Sequence, residues 1–310
     1  MLTLHVLNVG HGSSIVVEYS DGREKAFGVI DSNADAGEQP RALKKLRELG
    51  ASRLSFVALT HPHKDHFSGL FDVVKEYRGS IDYLFSCPFG DLLNQKKRFD
   101  QFVEGLQKIY SESDGPTQRK AALELLQLLV WADTDHNSKR LQWHECKGES
   151  TELAIPGFGG VDIFTVLPPS RVIGSYVQKI EKADMSVFGR QDDNAISLAF
   201  QFIYRGRTVL LGGDGNAANW KHRRRFEEIK QRPLSGEVVN LPHHGSRHDN
   251  PPDVLQQLFA ASGERFGVTS ADGRSHPSEE VIDWMEKIRS NPTAQACWVN
   301  AVRTPKYCCR

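Results

Sequence analysis

The sequence predicts an α/β fold, on three observations. Short apolar, β-rich runs occur in both halves of the chain, helical patterns lie between them, and His and Asp clusters follow the strand ends. With 310 residues, 39% of them hydrophobic, the chain can bury a sizeable core in one large domain or two ordinary ones.

Residues 2–9 and 14–19 are apolar runs separated by Gly10 and Gly12, and 25–30 follows the turn-forming Asp21-Gly22, so the chain opens as a strand meander. Residues 40–49 carry Leu43, Leu46 and Leu49 at helical spacing. The short apolar run Leu54–Leu59 reads as a buried strand that delivers His61 at its C-terminal end. From 91 to 147 the character changes. Phe99, Phe102, Val103, Leu106, Ile109 and Tyr110 share one helical face and 121–131 repeats a helical apolar pattern, which predicts a helical insertion. Strand signals return at 161–167, 196–204, 208–211, 237–241 and 265–269, with helices expected over 217–230, 253–261 and 278–288.

Lys plus Arg and Asp plus Glu balance at 39 each, which excludes a global positive field drawing the chain onto nucleic acid or an anionic membrane. Any such contact has to come from a local patch. The five cysteines (Cys87, Cys146, Cys297, Cys308 and Cys309) are odd in number and lack C-x-x-C spacing, which argues against a disulfide framework and a thiolate zinc site. No stretch of 18 apolar residues occurs, and the N-terminus lacks a secretory pattern, so a cytoplasmic location without membrane contact is the expectation.

The chemistry concentrates in Thr60-His61-Pro62-His63-Lys64-Asp65-His66, where imidazole and carboxylate donors crowd together directly after a strand. Such nitrogen and oxygen donors suit Zn²⁺, Mn²⁺ or Fe²⁺. Asp214 stands on the glycine turn Gly212-Gly213-Asp214-Gly215, where it could bridge two metals or serve ordinary turn chemistry. His243 and His244, before Gly245-Ser246, again end an apolar strand, although one imidazole could simply pair with the other. His276 follows the strand 265–269, open between loop surface and site. Because each cluster sits after a strand, one sheet edge would collect them all.

These residues resemble the metallo-β-lactamase superfamily, whose H-x-H-x-D-H signature is matched by His61, His63, Asp65 and His66. Within it, the chain resembles the soluble hydrolase domain of ComEC-type competence proteins, through Asn8-Val9-Gly10-His11-Gly12, Ile30-Asp31, 59–70, Asn194-Ala195-Ile196-Ser197-Leu198, 210–214, His243-His244-Gly245-Ser246 and His276-Pro277. The resemblance covers about residues 1–300 and implies a single hydrolase domain over 1–310. It would be an αββα sandwich of two mixed β-sheets flanked by helices, with the helical insertion at 91–147. It also implies two divalent ions, Zn²⁺ or Mn²⁺. His61 and His63 would hold one and Asp65 and His66 the other, with Asp214 bridging and His244 completing the second. Asp31 and His11 would stand behind the ligands, Asp31 orienting the histidine loop by hydrogen bonds.

Two departures from the family pattern stand out. The usual D-V-G-Q-G-D opening is here Asn8-Val9-Gly10-His11-Gly12-Ser13, with two carboxylates missing and an imidazole in place of an amide. The family's further histidine for the first metal has only His136 and His144 as positional counterparts, so Asn194, His11 or water could take its place.

The resemblance implies metal-activated hydrolysis of a phosphodiester, in DNA or RNA. Asp65, His243 and His276 are the expected catalytic residues, with His243 or, alternatively, His276 as general acid on the ground of expected proximity to the metals. Asn194, Ser246, Lys221 and Arg224 are the expected substrate contacts. The run Lys221-His222-Arg223-Arg224-Arg225 would grip flanking phosphates, with Trp220 stacking on a base. The alternative is a solvated helix face with Trp220 in the core. A small phosphoester or other small substrate is the competing reading, as is an effector subunit active only within a complex, which the insertion would dock.

Overall fold

The computed structural model describes residues 1–34, 38–89, 96–112, 116–148, 151–169, 191–230, 234–259, 265–289 and 296–300. Cys308 and Cys309 lie outside the described residues.

Strands β1 (Leu2–Val6), β2 (Ser14–Ser20), β3 (Lys25–Ser32), β4 (Leu54–Leu59), β5 (Ile81–Ser86) and β6 (Gln142–Glu145) form one sheet in that order. β1, β2 and β3 run antiparallel as the meander predicted, while β3, β4, β5 and β6 are parallel neighbours. The second sheet has the order β13 (Ala296–Asn300), β12 (Arg265–Thr269), β11 (Val238–Asn240), β10 (Arg207–Leu211), β9 (Ala199–Tyr204), β8 (Val161–Leu167) and β7 (Thr151–Glu152). Here β10 to β13 are parallel and β7 to β10 antiparallel. The fold is thus α/β with two mixed sheets flanked by helices, as expected.

Period-2 alternation explains how the sheets stack. Ile163, Phe200, Phe202 and Leu211 of the second sheet enter one core with Val17, Val29 and Phe56 of the first. Their strand neighbours Phe164, Ala199 and Leu210 turn to the opposite face and pack in a second cluster with helix residues Trp220, Val254, Leu255 and Met285. Helices α1 (Arg41–Glu48), α2 (Lys64–Phe67) and α3 (Leu70–Glu76) follow the strands of the first sheet. Helices α6 (Ala217–Lys230), α7 (Pro252–Leu258) and α8 (Glu279–Arg289) follow those of the second.

Residues 91–147 contain α4 (Lys96–Glu112) and α5 (Pro116–Asn137), but the stretch ends in β6, which pairs with β5. Phe99, Phe102, Leu106, Leu125, Leu128 and Leu129 belong to the main core. No helix of the described residues is long and apolar enough to cross a membrane.

Candidate metal centre

The parallel strands explain why distant residues meet. Co-directional strands of a sheet end at the same edge, so the loops after β10, β11 and β12 are neighbours, and the loop after β4 in the other sheet meets them through the contacts between the sheets. One backbone and one side-chain hydrogen bond stitch the two sheets there: Leu198 N donates to Thr60 O at 2.8 Å, and Ser270 Oγ to Leu7 O at 3.3 Å.

After β4 the chain is extended through His63 (φ −88°, ψ 143°), then enters the single turn of α2. The extended part brings the His61 and His63 rings together, with centroids 4.5 Å apart, and the turn swings Asp65 and His66 around the other side. Asp214 reaches the same place from the turn after β10. Gly213 makes that possible, because with φ +50° a Cβ there would lie 2.2 Å from Leu198 O. Ser197 Oγ accepts the Asp214 amide at 2.9 Å.

His243 and His244 both adopt left-handed backbone (φ 46° and 53°), which non-glycine residues rarely do and which costs on the order of 1–3 kcal/mol each. A dense network holds them there. His243 N donates to Gly213 O at 2.9 Å and Ser246 N to His243 O at 2.8 Å, while Asn250 Nδ2 donates to Pro242 O and Ser246 O.

The two oxygens of Asp214 face different histidines. Oδ2 is 3.6 Å from His61 Nε2, while Oδ1 is 3.2 Å from His66 Nε2 and 3.6 Å from His244 Nε2. Asp65 Oδ2 lies 3.4 Å from His244 Nε2 and 3.8 Å from His66 Nε2. Among the described residues, three groups of side chains could each hold an ion: His61–His63–Asp214, His66–Asp214–His244 and His11–Asp65–His244. His61 Nε2, His66 Nε2, His244 Nε2 and Asp214 Oδ1 are buried without hydrogen-bond partners. Buried polar atoms are normally satisfied, so this convergence of orphaned donors fits a divalent cation bound by nitrogen and oxygen.

Polar neighbours set the imidazole tautomers. Asp31, fully buried at the end of β3, accepts from Thr60 N at 2.8 Å, Thr60 Oγ1 at 2.7 Å and His66 Nδ1 at 2.7 Å. That fixes the proton on Nδ1 and leaves His66 Nε2 as the ligand atom. Thr60 Oγ1, having given its proton to Asp31, lies 3.2 Å from His61 Nδ1 and can accept from it.

Burial opposes charge on His66, but Asp214, Asp31 and Asp65 outweigh it and raise its pKa well above the ordinary value. Burial likewise opposes ionisation of Asp214, and the surrounding imidazoles, His66 first, hold its carboxyl well below the usual range. At His243, burial is overcome by the Asp249 carboxylate 2.5 Å from Nδ1 and by Asp214, so its pKa rises. His276 goes the other way. Burial and the neighbouring His243, His244 and His11 push it down to about 4. His243 is therefore the better proton donor near neutrality, and His276 stands neutral beside it with ring centroids 5.6 Å apart.

Other expected site residues fall out unevenly. Asn194 is buried with Nδ2 3.3 Å from His243 Nδ1. Ser246 is buried in the turn that its backbone closes. Lys221 is exposed and paired with Asp253 at 3.1 Å, and the side chain of Arg224 lies outside the described residues. Trp220 is fully buried, its Nε1 donating to Gly215 O at 2.9 Å, which overturns the base-stacking expectation in favour of the core reading. His136 accepts from Trp143 N at 3.2 Å and His144 stacks on Tyr83, so each has a structural partner away from the metal groups. His11 groups with Asp65 and His244 rather than with His61 and His63. Asp249 was not anticipated; its only signal in the sequence is an acid a few residues beyond paired histidines.

Residues 7–82, which contain the histidine loop, match the family model described as Metallo-beta-lactamase superfamily. No curated protein matches the chain. Among solved structures, similar ones include Tm1679, a metal-dependent hydrolase of the β-lactamase superfamily, at 13% identity over 97% of this chain and 97% of that one, TM-score 0.46. A diphosphatase from the PhnP family has 14% identity over 93% and 81%, TM-score 0.42. Zn²⁺-bound PqqB from Methylobacterium extorquens has 9% identity over 91% and 84%, TM-score 0.42. The family-model match spans the metal-binding loop and covers residues 7–82, about a quarter of a chain whose fold is two mixed sheets flanked by helices.

Proposed function

We propose that the chain is a hydrolase of phosphodiester bonds, acting on nucleic acid with two divalent cations. The observation that carries this reading is the placement of Asp214 between two histidine groups, one oxygen toward His61 and the other toward His66 and His244. Asp214 would help to hold a pair of ions, one with His61 and His63 and the other with His66 and His244. When bound, such a pair lowers the pKa of a shared water toward neutrality and offsets charge developing on a phosphoryl group.

The chain's own residues do the rest. Asp31 and Thr60 hold the His66 and His61 rings with their Nε2 atoms inward. His243, whose pKa the Asp249 carboxylate raises, has Nε2 3.9 Å from Asp214 Oδ2 and is placed to give a proton to a leaving alkoxide. Asn194 beside it offers an amide to a phosphate oxygen. The resemblance of His243-His244-Gly245-Ser246 to the hydrolase domain of ComEC-type proteins favours a phosphodiester in nucleic acid over other esters.

The test is hydrolysis of single- and double-stranded DNA, RNA and bis-p-nitrophenyl phosphate with Zn²⁺ or Mn²⁺, comparing wild type with Asp65→Ala. Metal-dependent cleavage lost in the variant is expected. If protein holding two ions cleaves neither polymer nor model diester, the reading fails and a small-molecule substrate or a complex-dependent effector takes its place.

A further inference from the structure

The loop between β1 and β2 takes no part in the chemistry above, yet it is built onto the metal centre. His11 Nε2 lies 3.4 Å from Asp65 Oδ2, and His244 Nε2 lies 3.4 Å from the same oxygen. The rings of His11 and His244 are 4.7 Å apart, and all three ligand atoms fall within 4.8 Å of one another. A separation of 3.4 Å is long for a hydrogen bond. Ligands about 2.1 Å from one ion, at tetrahedral angles, stand about 3.4 Å apart.

The approach of His11 is enforced by the backbone. Ser13 N donates to Asp65 O at 3.0 Å, and Asn33 Nδ2 donates to His11 O at 2.5 Å. Gly12, at φ +119°, lies where a Cβ would be 2.4 Å from Asp65 O and 2.6 Å from Asn33 Nδ2. Only a residue without a side chain lets the two loops come this close.

We propose that His11 is a metal ligand: with Asp65 and His244 it forms a solvent-facing station for the ion on that side of the centre. The station adjoins the buried group of His66, Asp214 and His244 and shares His244 with it. The His11 and Asp65 side chains are 43% and 27% exposed against 1% and 3% for His66 and Asp214, so an ion arriving from solvent meets the outer donors first. The proposal rests on the two-ion reading above.

The experiment is calorimetric titration of metal-free wild type, His11→Ala and His11→Gln with Zn²⁺, together with the visible absorption of the Co²⁺-loaded proteins. Wild type should bind two equivalents. Both variants should keep the tighter one, which also reports that they are folded. They should bind the weaker one with at least the ~10-fold loss that removal of an outer-shell partner already causes. The Co²⁺ bands of that second equivalent should also change in position or intensity, as a donor is lost. Unchanged affinity overturns the proposal, and so does weakened affinity with unchanged Co²⁺ bands, which would make His11 a support for Asp65. A wild type that takes a single ion overturns the two-ion reading itself.

Discussion

Asp31 shows how much of a metal centre resides in residues that never touch the ion. Its carboxylate accepts three hydrogen bonds, from Thr60 N, Thr60 Oγ1 and His66 Nδ1, while wholly buried. Asp31→Asn should lower affinity for the ion held by His66 by about 10- to 100-fold, read by titration with Zn²⁺ or Mn²⁺. Gly213→Ala forces a Cβ to within 2.2 Å of the Leu198 carbonyl and strains a left-handed backbone, so it should cost about 1–3 kcal/mol in unfolding free energy. A variant equal in stability to wild type would show that the turn carrying Asp214 can give way. The Asp249–His243 pair makes a finer prediction. If it supplies the proton for the leaving oxygen, Asp249→Asn should slow cleavage of a sugar–phosphate ester, a poor leaving group, much more than cleavage of a p-nitrophenyl ester, which leaves unprotonated. Equal losses on both would assign the pair to phosphate binding. The histidine loop was legible because His61, His63, Asp65 and His66 are contiguous and follow a buried strand. Asp249 was not, because its role depends on a turn with two left-handed residues that nothing in the local spelling announces.

At the scale of elements, strands and helices were read best where period and length agreed, as in Leu54–Leu59 and Ala217–Lys230. β5 and β6 were not among the expected strands, since the polar Asp82 breaks the apolar run of one and the other has only four residues. Their strand character comes from pairing along the growing parallel sheet. This changes what 91–147 is. An appended insertion would be dispensable to folding, but α4 and α5 place Phe102, Leu106, Leu125 and Leu128 in the main core. Deleting 96–137 should therefore yield protein that fails to give a cooperative thermal transition; a folded, soluble deletion would return the segment to the role of an appendage. The same packing protects the cysteines near it. Burial pushes the Cys87 thiol well up and, aided by Glu145, pushes Cys146 to about 12. Thiols with so little thiolate should resist iodoacetamide at pH 8 in native protein and react only after denaturation, as peptide mapping would show.

Over the whole molecule, the centre lies where the two sheets are joined at one edge, so neither sheet carries it alone. His61, His63, Asp65 and His66 come from the first sheet, Asp214 and His244 from the second, and Leu198 N to Thr60 O ties the two backbones beside them. An ion shared by donors of both sheets binds only the folded arrangement, and its binding free energy adds to folding stability. At free metal 100-fold above Kd, the linkage amounts to about 2.7 kcal/mol per site. Because both sheets also share one apolar core, that energy should act on the molecule as a unit. Adding EDTA should lower Tm while the unfolding transition stays single, and restoring Zn²⁺ or Mn²⁺ should return it. His61→Ala and His244→Ala, one ligand from each sheet, should each remove part of the metal-dependent gain in Tm. A Tm indifferent to chelator in protein that had contained metal would mean the ions bind folded and unfolded chain alike, which donors gathered from two sheets by tertiary structure cannot do.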